Sequence, residues 1–112
     1  MKIWIIRTGA LGDFILTLPV IHNLRSAFPN AHITLLGNPK TLALAQHDVQ
    51  QISDINRADW APLFISEAIL PNSLCAQFAN TDLVISYLPD PDDIFATNLK
   101  RAGVETVLTC PP

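Results

Sequence analysis

Residues 2–13 read KIWIIRTGALGD, an apolar run that gives way to two glycines and a carboxylate. The run Ile3–Ile6 has the length and composition of a strand that is buried on both faces of a parallel sheet. Apolar residues then recur at helical spacing, which predicts an amphipathic helix over 13–28, kinked at Pro19. A buried strand that passes through a glycine turn into a helix is typical of the first unit of an α/β sheet.

The rest of the chain repeats this alternation. Strands are predicted over residues 2–6, 32–36, 51–55, 82–87 and 105–109. Short helices are predicted over residues 41–46, 72–79 and 91–102, and no regular element is predicted for 56–71. Alternating strands and helices with short connections favour a Rossmann-like doubly wound parallel sheet, with the first strand central and helices on both faces.

The ends of two of these helices can be predicted from residue type. Asn72 is expected to be the N-cap of the helix over 72–79, because its side chain can accept a backbone N–H. Pro91 is expected in the first turn of the helix over 91–102, and Gly103 is expected to end it.

Composition limits the class of protein. A chain of 112 residues is long enough for one domain, and 49% hydrophobic with 15% charged residues excludes disorder. No apolar run approaches the roughly 18 residues that span a bilayer, and the N-terminus does not have the pattern of a signal peptide. These features predict a cytoplasmic location.

Charge and metal-ligand patterns exclude other classes. Residues 1–47 carry a formal charge of +3 and residues 48–112 a charge of −6, without a basic cluster, so nucleic acid is not expected as a partner. The two cysteines are far apart, and the three histidines show no zinc-ligand spacing. Asp90, Asp92 and Asp93 lie among prolines, where acidic residues are more typical of a helix cap than of a metal site.

The glycine turn is the first candidate for a binding site. Ligands of α/β sheets bind at the carboxyl ends of the strands, here the loops 7–13, 37–40, 56–62 and 87–93. Glycine lets a ligand approach the backbone, and a helix start offers free N–H groups. The pattern does not match the dinucleotide fingerprint or Walker A, which disfavours NAD and nucleotide triphosphates. Asp13 is open to two interpretations, a catalytic carboxylate or a helix-start carboxylate without a catalytic role.

A family resemblance favours the first interpretation. The segment RTGALGD at 7–13, with Thr17 and Pro19 after it and LRSAFPNAHI at 24–33, resembles the opening of the lipopolysaccharide heptosyltransferases, glycosyltransferase family 9. The similarity is close over residues 1 to 36. Beyond it, the α/β alternation and the strand DLVI at 82–85 match. The family's acid and Gln-Gly turn after that strand are replaced by SYLPD.

The resemblance implies a fold and an activity. The family has the GT-B fold, so residues 1–112 are expected to be a single Rossmann-like acceptor-side domain, and the donor-binding domain is expected to be absent from this chain. The implied reaction is an inverting transfer of heptose from ADP-heptose to a lipopolysaccharide-core or related sugar acceptor. It needs no metal and no cofactor besides the nucleotide sugar. The implied place is the cytoplasm, at the inner face of the inner membrane.

The resemblance also implies roles for residues. Asp13 falls on the family's catalytic acid/base position and would take a proton from the acceptor hydroxyl. The other candidate substrate-binding residues are Thr8, Gly9, Ala10, Leu11, Gly12, Lys40 and Arg57. A non-catalytic Rossmann-like ligand-binding module is the alternative function, and a nucleotide-binding oxidoreductase is disfavoured by the failed fingerprint.

Overall fold

The computed structural model describes residues 1–111 and has a five-stranded sheet at its centre. The strands are β1 (Lys2–Arg7), β2 (His32–Gly37), β3 (Gln51–Asp54), β4 (Thr81–Ser86) and β5 (Val104–Thr109). Their order in the sheet is β3-β2-β1-β4-β5, and every neighbouring pair is parallel. The predicted parallel sheet with a central first strand is therefore confirmed, with strand ends within one residue of those predicted.

The central strand is apolar because both of its faces are covered. Ile3 and Ile5 belong to one hydrophobic core, and Trp4 and Ile6 belong to a second core on the opposite face of the sheet. All four side chains are at most 2% exposed. The continuous apolar run follows from this double burial, since a strand with one solvated face would alternate apolar and polar residues.

The first helix, α1, spans Leu11–Ala27 and begins two residues before the predicted start. It continues through Pro19 and buries Phe14, Thr17 and Ile21 on the side of the sheet that carries Ile3. The earlier start has a structural consequence. It places Asp13 inside the first helical turn instead of at the boundary of the helix.

The second and third helices differ from the predictions at their first residues. The predicted helix over 41–46 is α2 (Pro39–Leu42) continued by the 3₁₀ turn Ala43–Ala45, and it starts early because the Asn38 side chain accepts the Lys40 N–H. The helix α3 spans Asn72–Phe78. The prediction that Asn72 is its N-cap is wrong. Pro71 holds that position, and its carbonyl accepts the first helical N–H groups.

The last helix, α4, spans Ile94–Arg101, three residues shorter at its start than predicted. Asp90 reaches forward and accepts the N–H groups of Phe95 and Ala96, so the segment with Pro91 lies before the helix. Asp90 thus has the capping role that the sequence favoured for this acidic cluster.

The segment without a predicted element contains the 3₁₀ helix Ala58–Phe64, which buries Trp60 and Leu63 in the core beneath Trp4 and Ile6. Across residues 1–111, none of the helices is long and apolar enough to cross a membrane.

Candidate functional site

The carboxyl ends of the five strands form one edge of the sheet, and this edge carries the candidate site. The final strand residues are, across the sheet, Asp54, Gly37, Arg7, Ser86 and Thr109. In a sheet of this topology, ligands bind outside this edge. The connection between β1 and α1 lies at its middle.

Gly9 makes the turn from β1 into α1 possible. Its φ of +101° is strained for a residue with a side chain, and a Cβ there would lie 2.8 Å from Asp13 Oδ2. Gly12 differs, because it lies in the first turn of α1 and a Cβ there would meet no atom within 4 Å. The turn therefore requires a glycine at residue 9 but not at residue 12, and contact of either glycine with a substrate stays a prediction.

Asp13 projects from the first turn of α1 with its side chain 51% exposed. Its Oδ2 accepts the Ala10 N–H at 3.2 Å, which fixes one oxygen of the carboxylate against the backbone. The other oxygen, Oδ1, lies 3.6 Å from Arg7 Nη2. Asp13 is thus a half-exposed carboxylate with one oriented oxygen, in the position from which a base can reach a bound hydroxyl.

Arg7 lies behind Asp13 and is 6% exposed. Its guanidinium carbon is 4.7 Å from the centre of the Tyr87 ring, a cation–π distance. Tyr87 is held beside β1 because its N–H donates to the Ile6 carbonyl at 3.0 Å. Burial and the neighbouring Cys110 raise the pKa of the Tyr87 hydroxyl above its ordinary value of 10.0, and Arg7 opposes them. Arg7, Asp13 and Tyr87 therefore form one cluster at the end of β1.

Gly37 explains how β2 fits beside this cluster. A Cβ at residue 37 would collide with the backbone carbonyl oxygen of Arg7, its partner in the parallel register. Gly37 is the last residue of β2, although the sequence placed it just after the strand. The parallel register at this end of the sheet therefore requires a residue without a side chain at position 37.

Three of the other predicted binding residues lie in the connection between β1 and α1. Thr8 is partly buried, whereas Ala10 and Leu11 are exposed at the start of α1. All three precede Asp13 by at most five residues, and their contact with a substrate stays a prediction.

The two predicted cations lie further along the same edge of the sheet. Lys40 is exposed in α2, and Arg57 pairs with Asp59 in the segment after β3. β3 is separated from β1 by β2, a displacement of about 10 Å. In residues 1–111 no hydrogen bond or ion pair joins Lys40 or Arg57 to Asp13.

A cavity of about 470 Å³ opens between the start of α4 and the segment that follows the 3₁₀ helix Ala58–Phe64. It is lined by Ser66, Glu67, Asp92, Asp93, Ile94, Thr97, Asn98 and Arg101. Arg101 donates to Asn98 and to the Ala68 carbonyl, so its charge is already engaged. The sequence did not single out this group, because its members come from two distant segments.

The partners of Asp13 in the cluster were also missed as site residues. The sequence could have identified Arg7 as a site residue, because it is a cation directly after a buried apolar run. Tyr87 had a weaker signal, since it is an aromatic residue that follows a buried strand. Only the pairing of β1 with β4 shows that the two side chains meet.

Comparison with known proteins supports the fold. No protein-family model matches the chain, and no curated protein matches it. Among solved structures, the chain is similar to a glycosyl transferase family 9 protein from Veillonella parvula DSM 2008, with a TM-score of 0.63 and 21% sequence identity. The match covers 95% of this chain and 30% of the length of that protein. The α/β Rossmann-like fold is therefore shared with that protein over nearly the whole of this domain.

Proposed function

We propose that this domain is the acceptor-binding half of an inverting glycosyltransferase, and that Asp13 is its catalytic base. The observation that carries the proposal is the half-exposed Asp13 carboxylate, oriented by the Ala10 N–H at the carboxyl edge of the sheet. Two further findings support it. The fold matches a family 9 glycosyl transferase, and the segment RTGALGD resembles the heptosyltransferase motif.

The chemistry requires one proton transfer from the acceptor. Asp13 Oδ1 accepts the proton of an acceptor hydroxyl while the hydroxyl oxygen forms a bond to the anomeric carbon of the donor sugar. The bond from that carbon to the donor phosphate breaks, and a nucleoside diphosphate leaves with the electron pair. Attack opposite the leaving group inverts the anomeric centre. The hydrogen bond that the Ala10 N–H donates to Oδ2 leaves Oδ1 available to accept this proton.

The specific substrates belong to the same proposal. We propose ADP-heptose as donor and a sugar of the lipopolysaccharide core as acceptor, because the motif resembles enzymes with these substrates. We assign the donor contacts to a second domain outside residues 1–112, and the reaction to the cytoplasmic face of the inner membrane. The helix α1 exposes the apolar side chains of Leu11, Ile15 and Leu16. Exposed apolar side chains on one helix support a location beside a lipid surface.

The test is Asp13→Asn in a protein that contains both domains. Asparagine keeps the side-chain size and can still accept the Ala10 N–H, but it cannot act as a base. We expect turnover to fall by about 100- to 10,000-fold, with a much smaller change in acceptor affinity. Steady-state kinetics measure the effect, and thermal unfolding of the same variant is the control.

The paired measurement separates catalysis from capping. Asp13 accepts a backbone N–H at a helix start, an interaction worth about 1 kcal/mol that asparagine largely retains. Turnover within about threefold of the unmodified protein would identify Asp13 as a helix-start residue, and the melting temperature should then change little because asparagine keeps most of the interaction. The domain would then be better described as a non-catalytic ligand-binding module.

A further inference from the structure

Arg7 is a buried cation whose hydrogen-bonding groups are not satisfied by the protein. Its Nε is buried and has no hydrogen-bond partner, and its Nη2 lies 3.6 Å from the Asp13 carboxylate, beyond hydrogen-bonding distance. The Tyr87 ring, with its centre 4.7 Å from the guanidinium carbon, is a cation–π partner and accepts no hydrogen bond from Arg7. A charged group that is only 6% exposed normally has several charge-assisted hydrogen bonds, because desolvation without them is costly.

The position of Nη2, which faces the Asp13 carboxylate without a hydrogen bond to it, indicates where a ligand would fit. Arg7 ends β1, Asp13 lies in the first turn of α1, and Gly9 places no side chain against the Asp13 carboxylate. A gap of 3.6 Å between Nη2 and Oδ1 lets a single oxygen lie about 2.8 Å from both atoms. A hydroxyl suits this position because it can accept a hydrogen bond from the guanidinium and donate one to the carboxylate.

We infer that Arg7 is a substrate-contacting residue, whose guanidinium binds the same acceptor hydroxyl that Asp13 deprotonates. The inference rests on the proposed function and adds a residue to it. The proton moves to Asp13, and the negative charge that develops on the hydroxyl oxygen is stabilised by the Arg7 cation. Tyr87 holds the guanidinium plane in position as a positioning residue.

The competing explanation is that Arg7 only supports the Asp13 carboxylate. A supporting arginine would be expected to pair at hydrogen-bonding distance, preferably with two N–H groups on the two oxygens. Here Oδ2 is held by the backbone and Oδ1 is too far for a direct bond. A purely structural role would also leave Nη2 without an acceptor in both the free and the bound protein.

The test is a comparison of two acceptor probes on two forms of the chain. The probes are deacylated lipid A–Kdo oligosaccharide and its deoxy analogue, in which the hydroxyl that receives the sugar is replaced by hydrogen. Calorimetry measures the affinity of each probe for the unmodified chain and for Arg7→Lys. Lys100→Gln, a change of an exposed cation at the far end of α4, is the control.

We expect the unmodified chain to bind the full probe at least about tenfold more tightly than the deoxy analogue. In Arg7→Lys this preference should shrink to about threefold or less, because the ammonium of the shorter lysine side chain does not reach the position of Nη2. Lys100→Gln should keep the preference. If Arg7 had only a structural role, Arg7→Lys would lower the affinity for both probes by the same factor, and the ratio of the two affinities would not change. An unchanged preference in Arg7→Lys would overturn the inference and leave the proposed function standing.

Two further outcomes are distinguishable. Absence of binding by the unmodified chain would contradict the assigned acceptor, and with it both proposals. If Arg7→Lys fails to fold, the Arg7 Nε–H signal in NMR spectra of the unmodified chain provides the same test. It should move on addition of the full probe and stay in place with the deoxy analogue. A signal that responds equally to both probes would overturn the inference.

Discussion

At the scale of single residues, the site depends on one backbone conformation that only glycine adopts readily. Gly9 turns the chain from β1 into α1 with a positive φ, and its missing side chain leaves room for the Asp13 carboxylate. Gly12 is under no such restriction, because a Cβ at this position would have no neighbouring atom within 4 Å. The two glycines of one motif therefore have different physical roles.

Substitution of the two glycines by alanine should have opposite effects on stability. Gly9→Ala forces a side chain into a positive φ and against Asp13 Oδ2, so the free energy of unfolding should fall by at least about 1 kcal/mol. Gly12→Ala restricts only the unfolded chain and adds a better helix former, so it should raise the same quantity by up to about 1 kcal/mol. Urea denaturation of both variants measures the difference, and equal effects would contradict the assigned conformations.

At the scale of elements, the cluster exists because three parallel strands end side by side. β1 contributes Arg7, β4 leads into Tyr87, and β5 leads into Cys110, whose N–H donates to the Ser86 carbonyl at 2.7 Å. The register fixes these ends against each other, since Ile6 pairs with Ser86 and Ser86 pairs with Thr109. The environment of Tyr87 is thus a property of strand pairing.

The titration of Tyr87 should report this environment. Burial and Cys110 raise its pKa above 10.0 against the opposing effect of Arg7. Tyr87 is the only tyrosine in the chain, so the ultraviolet absorbance of tyrosinate follows this residue alone. We expect a midpoint above 10.0 in the folded protein. A midpoint at or below that value would contradict the burial of the Tyr87 hydroxyl.

The same shift has a consequence for stability. A hydroxyl whose pKa is higher in the folded than in the unfolded chain stabilises the fold fully below pH 10. That contribution is lost as the pH rises through the folded-state pKa. The free energy of unfolding of Tyr87→Phe should therefore depend less on pH above 10 than that of the unmodified chain. The variant should also lack the tyrosinate absorbance change.

At the scale of the whole molecule, β1 joins two hydrophobic cores that lie on opposite faces of the sheet. Both tryptophans, Trp4 and Trp60, lie in one core, with ring centroids 5.9 Å apart. Ile5 and Phe14 lie in the other core. Because alternate residues of one strand serve both cores, we expect the cores to unfold together.

This expectation can be tested by a substitution on the face of the sheet opposite to both tryptophan side chains. Ile5→Ala removes a side chain that is 1% exposed and should lower the free energy of unfolding by about 2–5 kcal/mol. Tryptophan fluorescence and circular dichroism should show the same shift. Leu16→Ala, at a position 77% exposed, is the control and should change stability by less than about 0.5 kcal/mol. A shift in circular dichroism without one in fluorescence would mean that the cores unfold separately.

The sequence alone determined the architecture of this protein, because hydrophobic periodicity is a local property. The apolar run Ile3–Ile6 was sufficient to predict a strand buried on both faces, and the later apolar runs predicted the remaining strands. Helix starts were less predictable. Pro71, not Asn72, is the N-cap of α3, and α4 begins later than predicted, where Asp90 accepts the N–H groups of Phe95 and Ala96. The start of a helix depends on which nearby group accepts its first N–H groups, and residue type alone does not determine that group.

The tertiary structure alone decided which side chains form the site. The motif identified Asp13, but the partners Arg7 and Tyr87 are far apart in the chain and meet only through the parallel pairing of β1 with β4. The same pairing order moved Arg57 away from Asp13, since it follows an edge strand. A short segment of sequence contains the side chains of one strand. The order of the strands depends on the burial of all five strands together, so it cannot be derived from any single segment.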